Sequence, residues 1–438
     1  MKKITFLKTL FLILIIASTA NARFVSTLAG SGAAGSANNT VGALSTFFNP
    51  GGICNDNNGN LYVVDHKNHR IRKIVIATGA VSTFAGGGGN GSGSADNANG
   101  LLATFRYPNG ICFDGVGSLY VSDTESYKIR KINIATTAVT TVAGSGTAAY
   151  QDGTGTGASF DFPDGICFDN GNLYVEDEYI HLIRKIVIAT GEVSTFAGSG
   201  VGSSNDGIGT AATFNTPIGI CTDGNGNLYV TEILGHKLRK ISIATKQVTT
   251  VAGASTGGYA DGTSANASFF GPVGICYDGN GSLFLVDLGN YAIRQIVIAT
   301  GEVTTFAGSG NMGSANGTGI DASFNDPHSI TYYNSNFYVT DSANHKIRKI
   351  TSSILNNATF DKEDTIDVYP NPSTGIYNID VNGDVTIEIF DIVGKQLRSQ
   401  KISTGANQLD LTQYNAGVYF AKVTNNLNQS KTIKIIKQ

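Results

Sequence analysis

The sequence has no tryptophan and few charged side chains. Asp, Glu, Lys and Arg make up 14% of its 438 residues, and 30 basic against 33 acidic side chains leave a formal net charge of -3. A field strong enough to gather polyanions is not expected, so we predict no nucleic-acid partner. The chain is instead rich in glycine, with 55 residues, which favours many short strands and turns over helices.

Long apolar runs are absent beyond the first residues of the chain. Three lysines precede an apolar run over residues 10–17, and Ala20-Asn21-Ala22 fits the small-residue rule for signal peptidase. This pattern predicts a signal peptide over residues 1–22, cleaved after Ala22, and a mature chain without a transmembrane span. An uncleaved membrane anchor is the alternative, but the run is short for a bilayer span.

Six prolines mark an internal repeat that fills most of the chain. Each repeat has a long Gly/Ser loop, a Gly-Ile-Cys strand, an Asp/Asn/Gly turn, a Leu-Tyr-Val-x-Asp strand, an Ile-Arg-Lys strand and a Val-Ser-Thr-Phe-Ala-Gly strand. The turns contain residues that tolerate positive φ angles, so neighbouring strands are predicted to be antiparallel. Four such strands at a near-constant period predict an all-β fold, a six-bladed β-propeller with four-stranded blades. The prolines lie at positions 50, 108, 163, 217, 272 and 327.

The two ends of the repeat region complement each other. The last repeat stops after Ile350 without a fourth strand, whereas residues 24–30 are an orphan copy of that strand. We therefore predict that this N-terminal segment completes the last blade and closes the ring, leaving no open sheet edge.

Residues 24–351 resemble the NHL repeat family. The resemblance rests on the Pro-x-Gly-Ile, Leu-Tyr-Val-x-Asp and Asn-His-x-Ile-Arg-Lys segments, best seen at residues 68–73 and 344–349. The sequence departs from the pattern at Glu232, at Ser329 and at Ser126-Tyr127, and these departures leave the predicted fold unchanged.

An acidic residue recurs in every blade, and an arginine follows it seven residues later. Such strict co-occurrence predicts structural ion pairs, or a carboxylate that caps the hairpin turn. A ring of arginines for anionic ligands is the alternative, but a ligand rarely needs the same residue from all blades. The pairs are Asp65 and Arg72, Asp123 and Arg130, Asp177 and Arg184, Glu232 and Arg239, Asp287 and Arg294, and Asp341 and Arg348.

Other repeated positions are also predicted to be structural. In five blades a cysteine directly follows the isoleucine of the first strand. Equivalent positions on successive blades are too far apart for disulfides, so the cysteines are expected to be small buried side chains rather than metal or redox groups. A His/Tyr position lies on a wide circle, which opposes a shared zinc site. The Asp-Gly steps of the long loops are predicted to be turns rather than calcium sites. The phenylalanine that ends each loop is predicted to be a hydrophobic plug. The cysteines are Cys54, Cys112, Cys167, Cys221 and Cys276.

Positions at which the repeats disagree are free of a scaffold role and can bind a ligand. The residue after each proline is such a position, and it starts the innermost strand, near one mouth of the central channel. Asp164 and His328 belong to opposite blades, so a direct acid–base dyad needs a narrow channel. We predict no catalytic residue, metal or other cofactor. The candidate binding residues are Asn109, Asp164, Ile218, Val273 and His328, with Gly51 at this position in the first blade.

Residues 352–365 are predicted to be a linker and residues 366–438 a small β-sandwich, following a propeller over residues 23–351. The last segment is similar to the C-terminal sorting domains of the type IX (Por) secretion system. That resemblance implies recognition by the outer-membrane secretion machinery of Bacteroidota, with removal of the domain and release or attachment at the cell surface. A second adhesive sandwich is the alternative. The resemblance is carried by Tyr369, Pro370, Asn371, Pro372, Gly375, Gly394, Gly417 and Tyr419.

Two functions remain open. The first is an exported, non-catalytic protein, secreted or on the outer cell surface, that binds a protein or a glycan or forms part of a larger surface assembly. The second is a propeller enzyme of the lyase or lactonase type with an axial metal, which the fold alone does not exclude. The sequence contains no nucleophile elbow, metal triad or phosphate loop, and this favours binding.

Overall fold

The computed structural model describes residues 23–87, 92–352, 366–381, 383–391, 395–425 and 430–438. The predicted signal peptide, residues 353–365 of the predicted linker and Gly394 lie outside the described residues. Contacts divide the chain into two compact units, one over Arg23–Ser352 and one that contains the described residues from 366 onwards. No helix in the described ranges is long and apolar enough to cross a membrane.

The first unit is a propeller of six antiparallel sheets, which confirms the predicted fold class. From the innermost strand outwards, blade one contains Pro50–Asn55, Asn60–Asp65, Arg70–Val75 and Val81–Ala85; blade two Ile111–Phe113, Ser118–Asp123, Lys128–Asn133 and Val139–Ala143; blade three Pro163–Asp169, Asn172–Asp177, Leu182–Val187 and Glu192–Ala197. Blade four contains Pro217–Thr222, Asn227–Glu232, Lys237–Ser242 and Gln247–Ala252; blade five Pro272–Tyr277, Ser282–Asp287, Ala292–Val297 and Glu302–Ala307; blade six Pro327–Tyr333, Asn336–Asp341 and Lys346–Ser352.

The fourth strand of blade six is the N-terminal segment Arg23–Ala29, as predicted. It pairs antiparallel with Lys346–Ser352, with Val25 opposite Ile350. Val25 is fully buried, whereas its neighbour Phe24 is 45% exposed, so the strand has one face in the core. The ends of the propeller are thereby joined by backbone hydrogen bonds, which removes the open sheet edge.

Short elements of the long loops cover the outer strands. Two-residue strands add a fifth member to four sheets, and single turns of 3₁₀ helix follow the second strand or precede the next blade. The added strands are Gly153–Thr154, Gly207–Ile208, Gly262–Thr263 and Gly317–Thr318. The 3₁₀ turns are Gly42–Leu44, His66–Asn68, Gly100–Leu102, Thr124–Ser126, Gly155–Gly157, Glu178–Ile180, Gly209–Ala211, Ser264–Asn266, Leu288–Asn290, Gly319–Asp321 and Ser342–Asn344.

The hydrophobic core of the propeller lies between successive blades. Each of its clusters takes residues from two neighbouring sheets, and one joins blade six to blade one through Tyr338, Ile347, Ile53 and Leu61. Each sheet therefore packs its two faces on the two neighbouring blades. Because every cluster needs two blades, each blade depends on its neighbours for stability.

A glycine two residues after the proline lets the blades approach closely near the axis. A Cβ at Gly219 would lie 2.2 Å from the Val273 carbonyl oxygen, and one at Gly110 would lie 2.1 Å from the Asp164 carbonyl oxygen. The repeated glycine therefore accommodates the post-proline carbonyl group of the next blade.

Each repeated arginine is the centre of a buried hub. In blade three, Arg184 donates to Asp177 at 2.9 Å, to Asp152 at 2.7 Å and to two backbone carbonyl groups. Its guanidinium carbon lies 5.1 Å from the centre of the Phe160 ring. The long loop thus brings the Asp-Gly carboxylate and the terminal phenylalanine to the same arginine. The other acid–arginine pairs are Asp65–Arg72, Asp123–Arg130, Glu232–Arg239, Asp287–Arg294 and Asp341–Arg348, at 2.6 to 2.7 Å and fully buried.

The His/Tyr position links successive blades. His69 adopts a left-handed backbone with φ of 55°, and its Nδ1 accepts a hydrogen bond from the backbone N–H of Tyr107 in blade two at 3.1 Å. His181 and His236 bond the next blade in the same way. These side chains are spread round the ring, one to a blade, and each serves one interface.

The second unit is a β-sandwich. One sheet contains Ile366–Tyr369, Ile376–Val381 and Gly405–Asp410, and the other Gln396–Ile402, Val385–Phe390, Gly417–Asn425 and Ser430–Lys437. Their inner faces share one core that includes Tyr377, Ile387, Leu409 and Tyr419.

Most of the described sorting-motif residues lie at the ends of strands, whereas Tyr419 lies in the core of the sandwich. Asn371 bonds the backbone of the last strand at Lys434 and Ile436, and the Gly375 carbonyl group accepts from Leu411. Tyr419 donates to the Asn415 carbonyl group at 2.6 Å, two residues before Gly417 begins its strand. Tyr369 ends the first strand, and Pro370 and Pro372 follow it.

Candidate functional site

The residues after the prolines form one end of the central channel, which we call the post-proline mouth. It is defined by Gly51, Asn109, Asp164, Ile218, Val273 and His328. Asn109, Asp164, Ile218 and His328 line one cavity of about 80 Å³ on the axis. Gly51, Asn109 and His328 also line an adjoining depression of about 170 Å³ with His66, Lys67 and Asp326.

Asp164 is held by blade two. Asn109 donates its side-chain amide to Asp164 Oδ2 at 2.8 Å, across the interface between blades two and three. Asp164 is only 5% exposed, and burial raises its pKa to about 7, although the Asn109 hydrogen bond opposes the shift. A buried carboxyl group at this position therefore changes its protonation state near neutral pH.

His328 and Val273 differ in their surroundings. Burial lowers the pKa of His328 to about 4, so its imidazole is neutral at pH 7, and its Nδ1 has no hydrogen-bond partner among the described residues. Val273 is 1% exposed and packs in the core between blades five and six. Val273 is therefore part of the hydrophobic core, and the structure does not bring it into the cavity lining with the other candidates.

Two further rings of variable residues flank the post-proline mouth. They are the residues immediately before and after the repeated acidic residue, and the sequence reasoning passed over them. The comparison of repeats that selected the post-proline residues would also have found them, because the blades disagree there too. The first ring is Val64, Ser122, Glu176, Thr231, Val286 and Thr340; the second is His66, Thr124, Glu178, Ile233, Leu288 and Ser342.

Blade three concentrates carboxyl groups at this mouth. Glu176 is fully buried, neither of its carboxyl oxygens has a described hydrogen-bond partner, and burial together with Asp164 and Glu178 raises its pKa well above the usual range. Burial, with Asp164, also raises the pKa of half-buried Glu178 to about 8. Burial thus raises the pKa of three neighbouring carboxyl groups, of which Glu176 and Glu178 favour their neutral forms at pH 7.

Glu176 occupies a position that elsewhere links two blades. In blade four the equivalent Thr231 donates its hydroxyl to the Val273 carbonyl group of blade five at 2.6 Å. A Cβ at Gly165 would lie 2.1 Å from Glu176 Oε2 and 2.6 Å from the Ile218 carbonyl oxygen, so this carboxyl group and the blade-four carbonyl lie on the same side of Gly165. A protonated Glu176 can therefore act as a hydrogen-bond donor at this interface.

The Glu176→Gln variant is expected to unfold at a higher temperature than the wild type at pH 8, by a few degrees, and at nearly the same temperature at pH 5. The folded-state pKa of Glu176 is raised above its unfolded value, so its contribution to stability is full below the unfolded pKa and is lost as pH rises towards the folded pKa. Thermal unfolding followed by circular dichroism from pH 5 to 8 measures this.

Glu192→Gln is the matched control, since Glu192 is exposed on the outer strand of the same blade. Parallel stability curves for wild type and Glu176→Gln over this pH range would show that Glu176 does not hold a proton in the folded protein.

The post-proline mouth has a polar and an apolar side. Blades six, one, two and three contribute polar groups, and blades four and five contribute aliphatic ones that pack together. The polar arc contains His328, Ser342, His66, Asn109, Thr124, Asp164 and Glu178, and the apolar arc contains Ile218, Ile233 and Leu288, which pack against the buried Val273.

Exposed aromatic side chains surround this mouth. Phe162 and Tyr179 stack with ring centres 4.2 Å apart, and Tyr179 is 56% exposed. Phe270, in the loop before the blade-five proline, is 50% exposed. Aromatic rings with one free face offer a rigid contact area to a ligand.

The donor groups at the axis do not form a metal centre. Within the described ranges, no three His, Cys, Asp or Glu side chains are grouped in a way that could hold a metal ion. Asp164 is bonded to Asn109, and Glu176 lies against Gly165, so the available donors are directed to different neighbours. We therefore derive no chemical step through a metal.

Sequence comparisons agree with this architecture. An NHL repeat is matched at residues 47–74, and a secretion system C-terminal sorting domain at residues 367–438. The chain is 30% identical over 254 residues to Protein SUPPRESSOR OF QUENCHING 1, chloroplastic, from Arabidopsis thaliana, covering 55% of this chain and 24% of that protein. It is 27% identical over 293 residues to NHL repeat-containing protein 2 from Homo sapiens, covering 59% of this chain and 40% of that protein. The match therefore spans less than half the length of either relative.

Solved structures share the fold at low identity. A protein of unknown function from Bacteroides thetaiotaomicron has a TM-score of 0.60 and 21% identity, over 75% of this chain and 76% of that one. An auxiliary nutrient binding protein from the same species has a TM-score of 0.56 and 18% identity over the same shares.

The chain thus contains a six-bladed β-propeller in which an NHL repeat is matched. It carries a type IX secretion system sorting domain at its C-terminal end, and this domain indicates export by that machinery to the cell surface or beyond.

Proposed function

We propose that this protein is an exported, non-catalytic binding protein that recognises a protein or a glycan through the post-proline mouth. The observation that carries this proposal is the pattern of variation. The blades share their arginine hubs, and most share the glycine and the interface histidine, but around this mouth they differ and produce one polar arc, one apolar arc and exposed aromatic rings. A scaffold that only had to fold would not need this local asymmetry.

The proposed domain roles keep the boundaries predicted from the sequence. Residues 1–22 direct export and are cleaved after Ala22, residues 23–351 bind the ligand, and residues 352–365 link them to the sorting domain at 366–438. The sorting domain engages the type IX machinery, and the propeller then acts outside the cell or on its surface.

A glycan array and a pull-down of surface proteins, both with the full chain, are expected to identify a ligand whose affinity falls at least about tenfold in His328→Ala and in Ile218→Ser. These changes remove one side chain from each arc of the mouth. Val116→Ser is the matched control, because Val116 is 89% exposed in the first hairpin of blade two, at the other end of the innermost strand.

Direct binding to a purified ligand, measured by isothermal titration calorimetry, gives the affinities. If His328→Ala and Ile218→Ser bind as tightly as the wild type and fold normally, the post-proline mouth is not the binding site. If neither assay yields a ligand that responds to these variants, the binding proposal fails as well.

The alternative is a lyase or lactonase type of enzyme, and it draws support from Asp164 and His328, which line the same axial cavity. A carboxyl group with a pKa of about 7 and a neutral imidazole are groups that acid–base catalysis uses. Metal analysis of the purified full chain separates the two functions. Stoichiometric zinc or calcium that is lost in Asp164→Ala or His328→Ala would favour the enzyme.

A further inference from the structure

The other end of the central channel contains a larger cavity, which we call the isoleucine–cysteine cup. It has a volume of about 670 Å³ and is lined by the isoleucines of all six Gly-Ile-Cys or equivalent segments and by all five cysteines. Pockets for small organic ligands are typically about 300–1,000 Å³ in volume. We propose that this cup binds a small, uncharged aromatic molecule, on the other side of the ring of six isoleucines from the post-proline mouth.

The rim of the cup supplies aromatic surfaces. The residue after each cysteine is Phe113, Phe168 or Tyr277 in three blades, and Tyr332 takes the equivalent place in blade six. All four are half-buried, so one part of each ring is packed and another part is available. The blades disagree here as well, since Asn55 and Thr222 complete the ring. Aromatic rings spaced around an opening favour a flat ligand that can stack on them.

The walls of the cup offer no positive charge to a ligand. Among the described lining residues there is no lysine, arginine or histidine. The carboxylates of Asp114 and Asp278 are engaged by their own hairpins: Asp114 Oδ1 accepts three backbone N–H groups, at 2.8 to 3.0 Å, and Asp278 Oδ1 accepts those of Asn280 and Ser282. An anionic ligand would lose its hydration without gaining a counter-charge, and the two lining carboxylates are already bound by their own hairpins, so the proposed ligand is uncharged.

The cysteine thiols make the part of the cup wall that they line apolar and polarisable. All five cysteines are free, and four are buried, whereas Cys221 is half-buried. Burial raises the pKa of the Cys54, Cys167 and Cys276 thiols well above the usual range, so they stay neutral at physiological pH. Neutral sulfur atoms make favourable contacts with aromatic rings.

The proposal is tested with two probes that share one skeleton. N-phenyl-1-naphthylamine is uncharged, and 1-anilinonaphthalene-8-sulfonate adds a sulfonate to it. The absence of tryptophan from the chain leaves the probe emission free of protein background. We expect the full chain to bind about one uncharged probe with micromolar affinity, and the sulfonate at least tenfold more weakly.

A matched pair of variants locates the probe. Cys221→Phe places a ring in the cup and is expected to weaken binding of N-phenyl-1-naphthylamine at least tenfold, whereas Cys221→Ser preserves the volume and binds like the wild type. Because Cys221→Phe could disturb the fold, a second measurement uses the wild-type chain. Saturating N-phenyl-1-naphthylamine is expected to slow alkylation of Cys221 by N-ethylmaleimide at least fivefold, as followed by mass spectrometry.

Unchanged probe emission with the wild-type chain would overturn the proposal. So would equal binding of the two probes, or equal alkylation of Cys221 with and without probe. The post-proline variant His328→Ala is expected to bind the uncharged probe normally, so failure of the cup and failure of the proposed function give different results.

Discussion

Arg184→Met is expected to lower the free energy of unfolding of the propeller by about 3–5 kcal/mol. Arg184 is fully buried and bonds Asp177 at 2.9 Å and Asp152 at 2.7 Å, and it also holds two loop carbonyl groups. Methionine removes the positive charge and leaves the fully buried carboxylate of Asp177 without its counter-ion. Burial raises the pKa of Asp177 to about 7 and Arg184 opposes that shift, so the variant is expected to favour the protonated carboxyl group.

Urea unfolding followed by circular dichroism measures this change. Arg106→Met is the matched control, because the Arg106 side chain is 54% exposed in its pair with Glu125 and the pair contributes within about 1 kcal/mol. The double variant Arg184→Met, Asp177→Asn is expected to recover part of the loss, since the remaining partner, Asp152, is 46% exposed and no fully buried carboxylate is left unpaired. A loss for Arg184→Met no larger than that for Arg106→Met would mean that the hubs do not stabilise the blades.

Val25→Asp is expected to destabilise the entire propeller by at least about 3 kcal/mol. Val25 is fully buried in the cluster between blades five and six and pairs with Ile350, so an aspartate would place an unpaired carboxyl group in the ring closure. Because the clusters link all blades, we expect one cooperative loss of structure rather than fraying of blade six alone.

The neighbouring Phe24 provides the control on the same strand. Phe24 is 45% exposed on the opposite face, so Phe24→Ser is expected to cost about 1 kcal/mol or less. Thermal unfolding of the two full-length variants gives the comparison. Equal unfolding temperatures for Val25→Asp and Phe24→Ser would show that the N-terminal strand is not needed to close the ring.

The arginine hubs show why part of the scaffold could be predicted. Seven residues separate Asp65 from Arg72, a spacing within one hairpin, so the sequence pattern alone indicates the ion pair. The sequence predicts the Asp-Gly steps to be plain turns. It does not indicate the contact between the loop and the arginine, because Asp152 and Arg184 lie 32 positions apart. Local pairs can be predicted from spacing, whereas pairs brought together by a long loop require the structure.

The candidate site depends even more on contacts that the spacing of residues in the sequence does not indicate. The disagreement between repeats indicated Asn109, Asp164, Ile218 and His328, which line one cavity. It did not indicate that Val273 is buried, which depends on how blade five packs on blade six. Nor did it indicate that Glu176 and Glu178 join Asp164, which depends on how the first two strands of blade three pair. The cup was also not foreseen, because the cysteines had been considered only as buried packing residues.

The sequence by itself determined the number of blades, the N-terminal closure and the C-terminal sorting domain, because each is written in local patterns of strands and turns that repeat or match a known motif. Only the tertiary structure decided which side chains meet. Residues more than fifty positions apart converge on the axis because the blades pack face to face in a closed ring, and their burial there sets their protonation, their hydrogen bonds and the two cavities at the ends of the channel.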